Sequence, residues 1–152
     1  MLAYVLLVAV VLGSGIVFSE GWRVNEASAI ATLRLINSAE VTYASTYHAG
    51  FSANLNQLCA PSPGGQPNAN AADLLDPERC GQGRKGTATT FVRNAYVFKY
   101  VPAAKAGSIA TYSIYADPIS RGRQGQRSFF TDESGVVRGN ATEPATAGDN
   151  PI

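Results

Sequence analysis

The fold depends first on one apolar run near the start of the 152-residue chain, Leu2-Ala-Tyr-Val-Leu-Leu-Val-Ala-Val-Val-Leu-Gly-Ser-Gly-Ile-Val-Phe18, which contains no charged residue. Residues 1–18 would extend over about 27 Å as a helix at about 1.5 Å per residue, close to the roughly 30 Å hydrocarbon core of a bilayer. The run therefore predicts a helix that lipid or other copies of the chain must cover. The side chains expected to make that contact are Leu2, Val5, Leu6, Val8, Val11, Leu12, Ile16 and Phe18.

A cleaved secretory signal and a buried core helix are the alternative interpretations of this run. A signal peptide would have Lys or Arg ahead of the run and small residues at its cut site. Only Met1 precedes the run, and Ile16-Val17-Phe18 is bulky. A retained helix is therefore favoured, although the missing basic flank leaves its orientation in a membrane unspecified.

The bulk composition argues against two classes of function. The formal net charge is +1 and only 15% of the residues are charged, so the chain as a whole is not a polyanion binder. His48 is the single histidine, and the sequence contains no Gly-x-Ser-x-Gly, phosphate loop or paired His–Glu spacing. We therefore predict that the chain is not an enzyme.

The helical pattern continues beyond the apolar run. From Phe18 to His48 there is no proline and only Gly21, so one unbroken helix is expected to reach about Tyr47. At 100° per residue one face is apolar and another is polar, which predicts packing against a domain that follows in the chain. The apolar face carries Ala29, Leu33, Ile36, Tyr43, Ala44 and Tyr47, and the polar face carries Arg34, Ser38, Thr42 and Ser45.

Glu40 falls within the apolar face of this helix. Because an unpaired buried carboxylate costs several kcal/mol, we expect an arginine or backbone N–H groups of the following domain to contact it. A catalytic role is disfavoured, since no second polar group is placed to work with it.

Two cysteines predict a disulfide bond. Cys59 and Cys80 bracket Ala60-Pro-Ser-Pro-Gly-Gly-Gln-Pro67, which can be neither helix nor regular strand. Such a loop is typical of a disulfide in an oxidising compartment, and closing it is worth about 3 kcal/mol in the chain-entropy model. A zinc site is disfavoured because the chain has one histidine and no close cysteine pair.

The second half of the chain predicts short strands. The first helix is expected to end at His48-Ala-Gly50, with Gly50 as the C′ residue, and a short helix is expected at 70–75. Strands are expected at 96–101, 109–116, 128–131 and 135–138, with residues 132–135 as a hairpin turn. The resulting class is α+β, a long N-terminal helix packed on a small antiparallel sheet head. The expected divisions are an apolar transmembrane or filament-core helix (1–24), its amphipathic continuation (25–48), a disulfide-closed loop region (49–90), an antiparallel sheet (91–139) and a flexible tail (140–152).

Two blocks of sequence carry a family resemblance that covers residues 24–138. The first is Asn25-Glu-Ala-Ser-Ala-Ile-Ala-Thr-Leu-Arg-Leu-Ile-Asn-Ser-Ala-Glu-Val-Thr-Tyr-Ala-Ser-Thr-Tyr47, which resembles the first helix of bacterial type IV pilin-like proteins, including type II secretion pseudopilins. The second is Arg127-Ser-Phe-Phe-Thr-Asp-Glu-Ser-Gly-Val-Val-Arg138, which is similar to the terminal hairpin of those proteins. The family's basic leader, Gly-Phe junction and early glutamate do not occur, so leader cleavage and N-methylation are assigned to no residue.

The resemblance implies a structural subunit of a type IV pilus-like filament or a type II secretion pseudopilus, polymerising through its N-terminal helix. It implies an inner-membrane anchor with a periplasmic head before assembly, and afterwards a periplasmic filament or an extracellular fimbrium at the cell surface. The partners are then other copies of the chain or co-subunits, and the membrane. The alternative is a single-span periplasmic binding protein that does not polymerise.

Two further sets of residues are weak candidates for binding. Residues 79–127 contain nine basic side chains against one acid, Asp117, and are densest at Arg121, Arg123 and Arg127. We expect this basic surface to contact acidic patches of a neighbouring subunit, such as Asp73, Asp76 and Glu78, or solvent, rather than nucleic acid. By resemblance to pseudopilins that hold calcium, the available oxygens are those of Asp117, Asp132 and Glu133, although the last two fit a hairpin turn better. No cofactor is expected.

Overall fold

The computed structural model describes the backbone of residues 2–152 and the side chains of residues 21–152. One long helix is followed by a 3₁₀ turn and a five-stranded antiparallel meander in the order β1-β2-β3-β4-β5, which confirms the α+β class. The elements are α1 (Leu2–Tyr47), the 3₁₀ turn (Leu55–Leu58), β1 (Thr90–Arg93), β2 (Tyr96–Lys105), β3 (Ser108–Pro118), β4 (Ser128–Asp132) and β5 (Arg138–Asn140).

The predicted lipid or filament contacts of the apolar run, Leu2, Val5, Leu6, Val8, Val11, Leu12, Ile16 and Phe18, lie outside the described side chains. Within residues 21–152, no helix combines the length and apolar character needed to cross a bilayer.

The face of α1 that the sequence marks as apolar is the face that is buried. Leu33 and Ile36 are fully buried, Ala29 and Tyr43 nearly so, and Tyr47 packs at the edge of the same core. The polar face is exposed to solvent, as its residues Arg34, Ser38, Thr42 and Ser45 predict.

The sheet packs against α1 through one face of aromatic side chains. Along β2 the buried residues Tyr96, Phe98 and Tyr100 alternate with exposed ones, as expected for a strand with one covered face. Strand register places Phe91, Phe98, Ala116 and Phe129 side by side in one row. The rings of Phe91 and Phe98 stack with centroids 4.5 Å apart. The sheet is therefore stabilised by contacts between its own strands in addition to its contact with α1.

Two tight turns connect the first three strands. Asn94 and Ala95 have φ of 44° and 63°, and Ala106 and Gly107 have φ of 52° and 88°. Positive φ at both central residues is the signature of the type I′ turn, whose twist matches that of antiparallel strands. The first of these turns pairs β1 with β2, and the sequence had not indicated β1.

The predicted disulfide between Cys59 and Cys80 is present and closes a separation of 21 residues. Its loop is folded against the 3₁₀ turn, because Leu74 N and Leu75 N both donate to Leu58 O at 2.9 Å. These bonds use the backbone groups that a helix would need, so the helix expected at 70–75 is wrong. Leu75 is buried, and the loop forms a packed layer at the end of the core.

The C-terminal segment is not the flexible tail predicted for 140–152. Gly139 N donates to Asn150 O at 3.1 Å, and Ile152 N donates to Val137 O at 3.0 Å. The carboxylate of Asp149 accepts hydrogen bonds from Asn140 Nδ2 at 2.8 Å and from the N–H of Thr146 at 2.7 Å. The segment is therefore fixed to β5 by partners that a local reading of its sequence does not reveal.

Two element ends differ from expectation. The left-handed residue that follows α1 is His48, with φ of 53°, rather than Gly50. Gly50 also has positive φ, and a Cβ there would lie 2.4 Å from Ile109 O, so glycine is needed where the chain passes β3. The last strand is 138–140 instead of 135–138. The carbonyl of Val136 accepts a hydrogen bond from the Thr131 hydroxyl, and residues 135–137 form the connection that leads into β5.

Candidate functional site

The connection between β3 and β4 lies against α1 just beyond the apolar run. We call this segment, residues 119–127, the collar. The indole N–H of Trp22 donates to Arg123 O, and Asn25 Nδ2 donates to Gln124 O at 2.8 Å. Both bonds end on backbone carbonyls, so neither depends on the side chain of Arg123 or Gln124.

Glu26 makes the main contact between α1 and the collar. Its Oε1 accepts the backbone N–H groups of Gln126 and Arg127, both at 2.9 Å, and its Oε2 accepts Arg127 Nε–H at 2.9 Å. Burial raises the pKa of this carboxyl, but the hydrogen bonds and charge supplied by Gln126 and Arg127 outweigh burial and lower the pKa. Glu26 therefore stays ionised in the folded chain.

A second contact joins the collar to the sheet. Tyr96, fully buried on β2, donates its hydroxyl to Arg127 O at 2.7 Å. A Cβ on Gly125 would lie 2.3 Å from that hydroxyl oxygen, so only glycine allows the approach. Burial, with a smaller contribution from Glu26, raises the pKa of Tyr96, which keeps the hydroxyl protonated as a donor.

The three arginines predicted as a basic contact surface have different roles. Arg121 donates to Gln126 O at 2.5 Å, Ala141 O at 3.2 Å and Ser128 Oγ at 2.6 Å, and so holds the collar to β4 and the C-terminal segment. Arg127 is paired with Glu26. Arg123 contributes its carbonyl to Trp22, while the residue itself is exposed. Of the three, Arg123 is the one in the exposed class, and the side chains of the other two are hydrogen-bonded within the chain.

The acidic residues expected to meet this surface are partly paired within the chain. Asp76 forms an ion pair with Arg79, and Glu78 forms one with Arg93. These pairs order the disulfide loop, and they leave less acidic surface for a neighbouring subunit than the sequence suggests.

An open cleft of about 750 Å³ lies beside the collar, lined by Trp22, Ser120, Gly122, Arg123 and Gln124. Two exposed apolar side chains lie at this end of the head, Val24 at 67% exposure and Ile119 at 54%. The region thus combines a half-buried indole, an exposed arginine and exposed aliphatic groups.

Glu40 is fixed at the other end of the packed helix. Its two oxygens accept the backbone N–H of Ser52 at 2.9 Å and the hydroxyl of Ser52 at 2.6 Å. Of the two kinds of partner expected for Glu40, an arginine or backbone N–H groups, the structure has a backbone N–H, with the hydroxyl of the same serine beside it. Burial raises the pKa of Glu40, and the bonds from Ser52 and Tyr100 only partly offset this. The serine carbonyl is in turn bound by Tyr100 at 2.8 Å.

The calcium candidates are not brought together. Asp132 pairs with Ser113 on β3, and Asp117 lies four residues farther along that strand, about 13 Å away at the rise of a strand. Asp132 Oδ1 accepts from Ser134 N at 3.0 Å, as a turn residue does, and Glu133 follows it in that turn. No group of three His, Cys, Asp or Glu side chains within residues 21–152 is arranged to hold a metal ion.

In comparisons with known proteins, no family model, curated protein or solved structure matches the chain.

Proposed function

We propose that the chain is a structural, non-catalytic subunit of a type IV pilus-like filament or a type II secretion pseudopilus, and that it polymerises through α1. One observation carries the proposal. The described residues form one core from the α1 face, the sheet and the disulfide layer. Ahead of this core the sequence has an uncharged apolar run of 17 residues, 2–18, which we assign to contact with lipid or with other copies of the chain.

The chemistry of the run suits both environments. In the membrane its side chains contact acyl chains, and in a filament the same side chains contact neighbouring helices, so transfer from one to the other loses little apolar burial. A disulfide-closed head fits the oxidising periplasm of a bacterium. The pilin-like sequence of residues 25–47 and 127–138 supports the same assignment.

Negative-stain microscopy of cells that express the chain tests this proposal. We expect the cells to carry filaments, and antibodies raised against the head should bind along these filaments. Val8→Asp puts a charge at the middle of the apolar run, where it costs about 3 kcal/mol in an apolar environment, and should abolish filaments. Val97→Asp is the matched control, because Val97 is 39% exposed on the outer face of β2, and it should leave filaments intact.

The alternative function gives a different result. If detergent extracts contain only dispersed monomers with an intact disulfide, and cells carry no filaments, the chain is a membrane-anchored binding protein that does not polymerise. Equal loss of filaments in both variants would also count against polymerisation through the apolar run.

A further inference from the structure

We propose that the collar binds anionic phospholipid headgroups while α1 is in the membrane. This inference rests on the proposed function, because it requires the apolar run to be inserted in a bilayer. The ligand is the phosphate-bearing surface of the lipid, and the protein surface is formed by Trp22, Arg23, Ile119 and Arg123.

The position of Trp22 in the sequence sets its depth. It lies four residues after Phe18, which is about 6 Å of helix beyond the end of the apolar run. The polar headgroup layer is about 5–8 Å thick on each side of the hydrocarbon core. Trp22 is therefore expected at headgroup depth, where indole rings with one apolar side and one hydrogen-bonding edge are enriched.

The hydrogen bond from Trp22 to Arg123 O brings the collar to the same depth. The collar contains three arginines and no acidic residue, and Arg123 is exposed. Arg23 follows Trp22 on α1 and is also exposed. An anionic membrane surface is bound by this combination of groups: aliphatic and aromatic side chains that enter the membrane–water interface, and cations beside them that contact lipid phosphate.

The nearby acids leave this attraction in place. Glu26 is neutralised by Arg127, and Asp117 is half-buried at the end of β3. Glu20 is the acid closest in sequence to Trp22 on the side of the apolar run. Each exposed arginine near an anionic surface strengthens binding about fivefold, so Arg23 and Arg123 outweigh that single carboxylate.

The single tryptophan makes the collar directly observable. The full chain would be reconstituted into vesicles of phosphatidylcholine alone, or with 30% phosphatidylglycerol, and Trp22 emission quenched with acrylamide, a neutral quencher. We expect quenching to be at least twofold weaker in the anionic vesicles. The difference should disappear in about 0.5 M salt, which shortens the screening length to a few ångströms.

Two variants locate the effect. Arg123→Gln should remove most of the difference between the two lipids, since Trp22 binds the backbone carbonyl of residue 123 and keeps that bond. Arg34→Gln is the control, because Arg34 is also exposed but lies about three turns of α1 farther into the head than Trp22, and it should keep the full difference.

Vesicle flotation separates failure of this inference from failure of the proposed function. A chain that does not float with either lipid has no membrane anchor, which overturns the proposed function and the inference with it. A chain that floats with both lipids while Trp22 is quenched equally in both overturns the inference alone. Equal effects of Arg123→Gln and Arg34→Gln would also overturn it.

Discussion

Replacement of Glu26 should show that hydrogen bonds to backbone, rather than an ion pair, fix the collar to α1. The three informative variants are Glu26→Ala, Glu26→Gln and Arg127→Gln. Glu26 Oε1 accepts two backbone N–H groups at 2.9 Å, while Oε2 alone meets Arg127 Nε. The side chain of Arg127 is 41% exposed, so solvent screens the ion pair strongly.

The magnitudes follow from these contacts. Arg127→Gln removes only the screened ion pair and should cost up to about 1 kcal/mol of unfolding free energy. Glu26→Gln keeps an oxygen for both N–H groups but removes its charge, which weakens each bond by about half and should cost about 1–2 kcal/mol in total. Glu26→Ala leaves two partly buried N–H groups without their acceptor and should cost about 2–4 kcal/mol.

Urea unfolding of the full chain in detergent measures these costs through the near-ultraviolet circular dichroism of the aromatic core. Trp22 emission in the same samples reports release of the collar, because the indole is hydrogen-bonded to it. If Arg127→Gln cost as much as Glu26→Ala, the ion pair would dominate and the reasoning would be refuted. A cost below about 0.5 kcal/mol for Glu26→Ala would refute it equally.

The pH dependence of Glu26 has a defined sign. Its folded pKa is lowered from an ordinary value of 4.5, so the ionised form is favoured in the folded chain. The stabilisation is fully present above pH 4.5 and is lost as the pH falls through the folded pKa. Glu26→Gln should remove this part of the acid sensitivity.

Three further predictions concern other contacts. Reducing the Cys59–Cys80 bond should lower the free energy of unfolding by about 3 kcal/mol, and an unchanged urea midpoint in reductant would show that the loop is held by packing alone. Gly50→Ala should cost at least about 2 kcal/mol, because its Cβ would meet a β3 carbonyl oxygen at 2.4 Å. Gly107→Ala, with φ of 88° and open space around it, should cost only about 1 kcal/mol, and thermal melts of the two variants measure the difference. The pKa of Glu40 is raised from 4.5 by burial, so the folded chain binds a proton more readily than the unfolded chain. The free energy of unfolding of the wild-type chain should therefore rise relative to that of Glu40→Gln as the pH falls from 7 to 4.5. Urea unfolding at several pH values measures this difference, and the opposite trend would contradict a buried carboxylate whose charge is disfavoured.

The sequence predicts those parts of the fold that depend on local periodicity. The buried face of α1 follows from the spacing of Leu33, Ile36 and Tyr43, and the alternation of residues 96–101 identifies β2. Both patterns are repeated several times within one helix or strand, so each can be recognised without knowing which element packs against it.

The strands expected at 109–116 and 128–131 correspond to β3 and β4, and the parts that the sequence did not predict depend on distant partners. Strand β1 has four residues and is defined by its register with β2, such as Phe91 opposite Phe98. The C-terminal segment is held by hydrogen bonds of Asp149 with Asn140 and Thr146, and no periodic pattern in the sequence predicts these bonds. The collar meets α1 across about 100 residues of sequence, as between Asn25 and Gln124.

One missed residue did carry a readable signal. Glu26 lies seven residues before Leu33, and Glu40 lies seven residues after it, so both carboxylates fall on the buried face of α1. The argument that required a partner for Glu40 applies equally to Glu26. Its partners, the N–H groups of residues 126 and 127, could not have been named from the sequence.

The two carboxylates have a joint consequence for the way the head is held. They are 14 residues apart, which is about 21 Å along the helix, and each accepts backbone N–H groups from a different segment of the head. Between them the apolar face of α1 packs on the sheet, so the two carboxylates attach the head at the two ends of a contact that is already continuous. The collar is therefore held at the end of the packed helix nearer the apolar run, and Ser52 is held at its other end.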